Sequence, residues 1–448
     1  MLSWGNVFNA PSPILTGIQL ELFPEPSGQS TNIRGRIANR VRLEDQSFHE
    51  WYRFILSFPP HLVRQYFHRF ELGPDQTVLD PFCGTGTTVV EAKLNRISGI
   101  GIEANPVAHF ASYTKTNWSI DPDNLVKQAQ SIAQAVTEHK EFYEPPALRT
   151  LPDTAVKLLP ANAISPLPLH KALVLLEQIN ASLEGTLADH ARLAFAKAIV
   201  LSCSNLRFRP EVGIRPQKRE DAPVVESWLD EIYTMAEDLT YVKTASGPAA
   251  RIHLGDARNL RQHLEPQSID CVFTSPPYPN EKDYTRATRL ESVLLGFIQS
   301  KEDLRYLKER LLRSNTRNVY RDDDDDQWVK QHPKIQEIAS NIENRRLELG
   351  KTSGFEKKYG RVTQLYFGGM ARHFLALQPF LKPGAWLGYV VGDQASFFQV
   401  LIPTGQILAE IAASVGYEVV SLDLFRTRLA SVTQQQMREE VVVLRWPG

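Results

Sequence analysis

The sequence predicts an α/β protein with a mostly parallel sheet of about seven strands, helices on both faces and two helical insertions. The first observation behind this prediction is a strand–turn–helix–strand pattern between Thr77 and Ile102. The second is a set of short apolar segments after residue 250, each typical of a strand. The third is a pair of long stretches with helical patterning, 120–245 and 300–350, that separate these strands.

The predicted elements follow one another in a simple order. Residues 1–45 are rich in Pro, Gly, Asn and Ser and predict an irregular arm, and Phe48–Phe70 predicts two helices broken at Pro59-Pro60. A strand at Thr77–Leu79, a turn at Asp80–Thr87, a helix at Thr88–Asn95 and a strand at Ile97–Ile102 come next. Helices are expected at Ala188–Leu201 and Val224–Val242. Later strands are predicted at Arg251–Leu254, Ile269–Thr274, Ala385–Val391, Glu418–Leu424 and Glu440–Leu444.

Composition excludes several classes of protein. The chain has 448 residues, 42% hydrophobic and 23% charged, which is ordinary for a globular protein with a sizeable core. It contains no apolar run long enough for a membrane span and no secretory leader pattern, so no membrane partner is expected. The three cysteines lack paired spacing, which argues against a disulfide framework or a zinc site and favours the reducing cytoplasm.

The net charge of −1 argues against strong non-specific binding to nucleic acid. The charge is nevertheless segregated along the chain. The segment 207–219 holds five basic residues and one acid, whereas Asp322–Asp326 is an unbroken acidic run. We expect that run to be a solvated loop and not a metal site, because like charges without interleaved spacing make a poor cage.

The turn after the first strand has the geometry of a cofactor site. Gly84 and Gly86 let the backbone approach a ligand closely, and the following helix offers free N–H groups. A third glycine at the dinucleotide spacing is absent, so the nicotinamide fingerprint is incomplete. Glu103 closes the second strand and is placed to accept hydrogen bonds from ribose hydroxyls, and Asp256 follows the next strand, where it could face an adenine amino group.

Two motifs resemble those of the amino-directed DNA methyltransferases. Residues 80–88 (DPFCGTGTT) are similar to the family's cofactor motif, and 274–278 (TSPPY) to its catalytic motif in the Ser-Pro-Pro-Tyr form of the cytosine-N4 group. The segment 48–63, with Phe58-Pro59-Pro60, resembles the family's N-terminal segment over the methionine end of the cofactor. The resemblance covers a little under half of the chain, roughly 46–118, 250–298 and 365–448.

The resemblance implies S-adenosyl-L-methionine as cofactor on a seven-stranded Rossmann-like methyltransferase sheet. It implies double-stranded DNA as substrate and allows a companion restriction endonuclease of a restriction-modification system. The cofactor residues it implies are Asp80, Phe82, Gly84, Gly86, Thr87, Glu103, Asp256 and Pro59. The chain would then divide into an arm (1–45), a cofactor-binding half (46–118), a helical insertion (119–249), the catalytic strands (250–299), a second insertion (300–363) and the rest of the sheet (364–448).

The catalytic residues implied are Ser275, Pro276, Pro277 and Tyr278. The N4 lone pair of cytosine is conjugated into the ring, so acceptors for the amino hydrogens are needed to expose it. The Ser275 hydroxyl and the Pro276 carbonyl would serve as acceptors, and Tyr278 would stack on a base flipped out of the duplex. No Pro-Cys dipeptide occurs, which argues against cytosine-C5 methylation through a cysteine.

Contacts to DNA are expected first from the loop with Arg207, Arg209, Arg215, Lys218 and Arg219, and second from 313–321. Asp283, Arg286 and Arg289 would either line the catalytic face or form a salt-bridged surface. Three other functions stay open: adenine-N6 methylation of DNA, methylation of an RNA base, and a non-catalytic DNA-binding module of a defence system.

Overall fold

The computed structural model describes residues 41–54, 57–208, 212–242, 247–429 and 436–448. Among these residues, seven strands form one sheet: β1 (Thr77–Asp80), β2 (Ser98–Glu103), β5 (Arg251–Leu254), β6 (Ile269–Thr274), β7 (Leu381–Gly392), β8 (Glu418–Leu429) and β9 (Gln436–Arg445). Two shorter strands, β3 (Leu206–Phe208) and β4 (Val212–Ile214), pair with each other outside that sheet. All but the last few residues of the predicted arm 1–45 lie outside the described residues.

The strand order in the sheet is β5-β2-β1-β6-β7-β9-β8. Neighbouring strands are parallel except at β9, which runs antiparallel to both β7 and β8. The predicted seven-stranded, mostly parallel Rossmann-like methyltransferase sheet is therefore confirmed.

Helices cover both faces of this sheet. Val78 and Cys271 pack into the apolar cluster that contains Leu62 and Ala92, whereas their neighbours Leu79 and Val272 pack into the opposite cluster. The described α-helices are α1 (Pro60–Arg69), α2 (Thr87–Leu94), α3 (Pro106–Thr116), α4 (Pro122–Glu138), α5 (Lys140–Tyr143), α6 (Asp153–Val156), α7 (Pro166–Ser182), α8 (Gly185–Ala198), α9 (Val224–Val242), α10 (Tyr284–Ala287), α11 (Arg289–Leu294), α12 (Lys301–Arg310), α13 (Pro333–Glu348), α14 (Tyr359–Leu377) and α15 (Thr404–Ser414). None of them is both long and apolar enough to cross a membrane.

The predicted pair of helices over 48–70 is only half right. The second helix is α1, but the first is a short 3-10 turn at His49–Trp51. Here the backbone N–H of Phe48 and the indole N–H of Trp51 both donate to the Asp238 carboxylate, at 3.0 and 2.7 Å. This tertiary contact with α9 fixes the segment in a form that local spacing could not reveal.

The first insertion lies between β2 and β5 and is helical, as predicted, but it also carries the β3–β4 hairpin. Three-residue strands are too short for an alternating pattern to show in the sequence. The helices of this insertion share one apolar core with Phe48, Trp51 and α3.

The second insertion contains α12 and α13 with the aspartate run between them. The prediction that this run is a solvated loop is wrong for two of its members. Asp325 is 4% exposed and pairs with Arg258 and Arg372, and Asp323 pairs with the buried Arg313. Asp322 and Asp324 are exposed.

Candidate active site

The carboxyl ends of four adjacent strands meet at one edge of the sheet. Asp80 at the end of β1 is in register with Gly101, and Glu103 at the end of β2 with Leu254. Thr274, which ends β6, pairs with Tyr389 on β7. Loops that follow parallel strands therefore converge here, which is where open α/β sheets bind ligands.

A cavity of about 360 Å³ opens at this edge. The predicted site residues that line it are Phe82, Gly84, Thr87, Glu103, Asp256, Ser275, Pro276, Pro277 and Tyr278. The structure thus places the glycine turn and the Ser-Pro-Pro-Tyr segment on the walls of one space.

The glycine turn wraps around the carboxylate of Glu103. The backbone N–H of Gly84 donates to Glu103 Oε2 at 2.7 Å, and that of Asn105 donates to Oε1 at 2.7 Å. Burial raises the pKa of Glu103, while these two N–H bonds oppose the rise. Each oxygen keeps a further lone pair, so the carboxylate can accept hydroxyl hydrogens from the cavity.

Three predicted cofactor residues, Asp80, Gly86 and Pro59, do not line the cavity. Asp80 is fully buried and accepts hydrogen bonds from the Thr274 hydroxyl at 2.5 Å and from the Phe82 N–H at 3.2 Å, so it ties β1 to β6. Gly86 has φ +91° and begins α2, and Pro59 is the buried residue before α1. These three residues therefore hold the elements around the cavity in place and do not contact its interior.

Asp256 is bound to Arg258. Its Oδ1 accepts from the Arg258 backbone N–H at 2.9 Å and from Nε at 3.0 Å, and its Oδ2 from an Nη at 2.7 Å. The other Nη of Arg258 donates to Asp325 at 2.5 Å. Asp256 therefore faces the cavity as a neutralised carboxylate that still has lone pairs.

The Ser-Pro-Pro-Tyr segment leaves β6 along the cavity wall. The Ser275 hydroxyl donates to the carbonyl oxygen of Val390 on β7 at 2.9 Å. Since that bond engages the only hydroxyl hydrogen, the lone pairs of Ser275 Oγ are left to accept. The Tyr278 ring is half-buried beside it, with its hydroxyl 3.5 Å from Ser275 Oγ.

Several lining residues were missed by the sequence analysis. The second insertion contributes Leu312, Asn315 and Asn318, and the β8–β9 strands contribute Phe425 and Glu439. Asn315 and Asn318 lie in the segment 313–321 that the sequence predicted to contact DNA, whereas no motif surrounds Leu312, Phe425 or Glu439, so no local signal could have identified those three. Phe58, in the predicted N-terminal segment, does line the cavity.

Comparison with known proteins agrees with this geometry. Residues 43–113 match a family model described as DNA methylase. The chain is 25% identical over 438 residues to the Type II methyltransferase M.BsoBI of Geobacillus stearothermophilus, with 90% of this chain and 85% of the relative covered. It is 21% identical over 417 residues to the Type II methyltransferase M.AvaI of Nostoc sp., with 86% and 82% covered. The Type II methyltransferase M.MvaI of Kocuria varians is 23% identical over 289 residues, with 55% and 61% covered.

These similarities support placing the chain with the amino-directed DNA methyltransferases. Enzymes of that family use S-adenosylmethionine as the methyl donor. The matched residues 43–113 include the glycine turn and Glu103, which are the parts of the cavity expected to meet that donor.

The basic loop of this DNA methyltransferase is the β3–β4 hairpin and the residues after it. Arg207, Arg215, Lys218 and Arg219 line one open depression and form no ion pair with any described residue. Arg215 and Arg219 donate to backbone carbonyls, whereas Arg207 and Lys218 are exposed. Arg209 lies outside the described residues.

The other charged candidates of the methyltransferase are mostly structural. Arg289 is 9% exposed and donates to the Leu158 and Thr285 carbonyls, and Asp283 pairs with Lys308 at 3.0 Å. Arg313 is buried against Asp323, so the second basic segment offers only Arg317 and Arg321 as exposed cations. All three cysteines are buried and free, and no described group of acidic, His and Cys side chains could hold a metal ion.

Proposed function

We propose that this protein transfers a methyl group from S-adenosyl-L-methionine to the exocyclic N4 of cytosine in a specific duplex DNA sequence. The amino-directed family supplies the reaction class, and the Ser-Pro-Pro-Tyr segment favours cytosine N4 within it. The observation that carries the proposal is the Ser275 hydroxyl, which donates to Val390 and so presents only lone pairs to the cavity.

The cavity fits the methyl donor by the chemistry of its lining. Glu103 would accept hydrogen bonds from ribose hydroxyls, because each of its oxygens has one backbone partner and a free lone pair. Phe82 offers an aromatic surface, Gly84 a side-chain-free approach, and Asp256 an acceptor for an adenine amino group. When bound, the donor supplies a methyl group on a positively charged sulfur.

The residues of this chain then have to prepare the nucleophile. Ser275 Oγ and the Pro276 carbonyl would accept the two amino hydrogens and turn the nitrogen lone pair toward the donor. Pro276 and Pro277 lack N–H groups, so they bring no donor that competes for these acceptors. This arrangement needs no side-chain nucleophile.

The target base must leave the duplex to reach this pocket. Tyr278 lines the cavity next to Ser275 and would stack on the extruded base. The duplex itself would rest on the cations of the β3–β4 hairpin and of the residues after it, namely Arg207, Arg215, Lys218 and Arg219; Arg209, predicted to join them, lies outside the described residues. The similarity to Type II methyltransferases supports a role in restriction-modification, with a companion endonuclease.

Methyl transfer from radiolabelled donor to duplex DNA and to RNA tests the proposal directly. Digestion of the DNA product should release N4-methylcytosine, and the variant Ser275→Ala should lose most activity while binding the donor normally. Ser131→Ala is the matched control, because Ser131 is exposed on α4 and makes no described side-chain bond. N6-methyladenine in the digest would move the assignment to adenine, label in RNA alone would move it to RNA, and donor binding without transfer would indicate a non-catalytic module.

A further inference from the structure

A second, smaller cavity of about 150 Å³ adjoins the active site. Phe54, Lys282 and Tyr284 line both spaces, so the two meet along a common wall. On its far side the second cavity shares Leu201 and Phe208 with the depression at the basic hairpin. The active site, the second cavity and the depression at the hairpin therefore lie side by side.

The second cavity contains a buried acceptor without a partner. Glu291 is 1% exposed and lines the cavity, and its Oε1 accepts a short hydrogen bond from the Tyr52 hydroxyl. Its Oε2 has no hydrogen-bond partner among the described residues. Burial raises the pKa of Glu291 to about 7, and the Tyr52 bond opposes that rise. An unsatisfied buried carboxylate oxygen costs free energy, which a donor on a ligand would recover.

The cavity that contains this acceptor also has two exposed cations on its wall. Arg286 and Arg317 line the same cavity, are exposed, and form no ion pair with the described acids. The nearby Asp283 does not neutralise them, since it is held by Lys308 at 3.0 Å. Of the other charged residues on its wall, Glu50 pairs with Arg53 and Lys197 with Glu231. The cavity thus combines apolar and aromatic side chains with one deep acceptor and two exposed guanidiniums, which suits a base with its phosphate.

We propose that this cavity binds a nucleotide next to the extruded base on the target strand. Glu291 Oε2 accepts a hydrogen bond from that nucleotide's exocyclic amino group, and Arg286 and Arg317 hold its phosphate. This inference rests on the proposed function, and it adds a position at which the enzyme reads sequence: adenine, cytosine and guanine, which carry an exocyclic amino group, are favoured over thymine, which does not.

The variant Glu291→Gln tests the contact because it replaces the acceptor Oε2 with a hydrogen-bond donor. The amide oxygen keeps the Tyr52 bond, while the NH2 takes the place of Oε2 and becomes a donor. Random-sequence duplexes would be selected by binding and, in parallel, by methyl transfer. Wild type should disfavour thymine at one position beside the target, and Glu291→Gln should shift the preference roughly 10-fold toward thymine, whose exocyclic oxygens can accept from the amide NH2.

Two further variants separate recognition from folding. Tyr52→Phe removes the other half of the buried pair but leaves the Glu291 carboxylate, so it should keep the wild-type preference. If Tyr52→Phe and Glu291→Gln change the selection equally, or if neither changes it, Glu291 has only a structural role and the inference is wrong. Glu302→Gln, an exposed change on α12, is the matched control.

The phosphate contact has its own readout. The double variant Arg286→Ala/Arg317→Ala should weaken duplex binding roughly 10-fold for all sequences and lower its salt dependence, with donor binding unchanged. Arg261→Ala, at an exposed arginine that lines none of the three cavities, should do neither. If the wild type methylates DNA but the double variant binds the duplex as tightly as the wild type does, this inference is wrong and the proposed function stands. Absence of any methyl transfer to DNA by the wild type would overturn the proposed function, and loss of sequence-selective binding as well would overturn both.

Discussion

Asp325, in the run of five aspartates, accepts a hydrogen bond of 2.5 Å from the Arg258 guanidinium. The same guanidinium holds both carboxylate oxygens of Asp256, which lines the active-site cavity. An acid of the second insertion is therefore connected, through one buried arginine, to the acid proposed to meet the adenine of the donor. The insertion completes the cofactor site and is more than an addition to the surface.

Asp325→Asn should destabilise the protein and weaken donor binding. Arg258 has a side chain only 7% exposed, and removing one partner of a buried ion pair costs about 3–5 kcal/mol, of which we expect the lower end because Asp256 remains. Denaturant unfolding and calorimetric titration with the donor measure the two effects. Asp322→Asn, an exposed change in the same run, is the control, and equal behaviour of the two variants would contradict the structural role of Asp325.

Glu103→Ala should weaken donor binding, and it should also destabilise the glycine turn because the Gly84 and Asn105 N–H groups lose their acceptor. A charge-assisted hydrogen bond contributes about 1.5–3 kcal/mol, so the dissociation constant should rise roughly 10-fold to 100-fold. Calorimetry on Glu103→Ala beside Glu337→Ala, an exposed change on α13, provides the measurement. Unchanged donor affinity in Glu103→Ala would remove the ribose role.

The sequence alone predicted those parts of the site that lie in turns at the ends of strands. Alternation of strands with helices and the spacing of glycines locate the ends of the strands in the sequence. Three parts of the site lie at such ends: the turn after β1, the carboxylate at the end of β2 and the Ser-Pro-Pro-Tyr segment after β6. Because parallel strands align their carboxyl ends, their meeting in one cavity followed from the fold class alone.

The sequence was insufficient where a side chain's partner comes from a distant part of the chain. Asp80 was expected to touch the cofactor, but it accepts a hydrogen bond from the Thr274 hydroxyl, 194 residues away, and does not line the cavity. Asp325 was expected in solvent because five adjacent aspartates look hydrophilic, and only the fold shows that Arg258 and Arg372 enclose it. Tertiary partners of this kind leave no periodic signal.

Gly86→Ala should destabilise the glycine turn. Gly86 has φ +91°, and an added Cβ would lie 2.9 Å from Ser112 Cβ, a distance that requires α2 or α3 to move. Gly350→Ala is the matched control, since Gly350 has φ +61° but nothing within 4 Å of its Cβ position, so it carries the backbone strain without the clash. The clash should add about 1–3 kcal/mol of destabilisation, measured by denaturant unfolding. Equal losses of unfolding free energy in the two variants would show that α2 moves away from the added Cβ at no cost.

Asp80→Asn should change how stability depends on pH. Burial raises the pKa of Asp80 from 3.8 to about 7, so between these values the folded protein binds a proton that the unfolded chain has lost. The contribution of this one group to the free energy of unfolding therefore falls as pH rises from 4 to 7, by on the order of 4 kcal/mol. Above pH 7 this contribution no longer changes. The asparagine variant lacks that fall. Unfolding free energies of both proteins across this range give the difference curve, and a difference that does not vary with pH would show that Asp80 is ionised throughout.

Tyr278→Ala should slow methyl transfer without loss of donor binding. The Tyr278 ring lies beside Ser275 on the cavity wall, and stacking of one base on an aromatic ring contributes about 1–3 kcal/mol, so turnover should fall roughly 10-fold to 100-fold. Tyr278→Phe keeps the ring and loses only a hydroxyl 3.5 Å from its nearest partners, and it should stay close to wild type. Single-turnover kinetics on duplex DNA, with a fluorescent base analogue at the target position, separate base capture from the chemical step. Wild-type rates in Tyr278→Ala would mean that another surface, such as Phe425, holds the base.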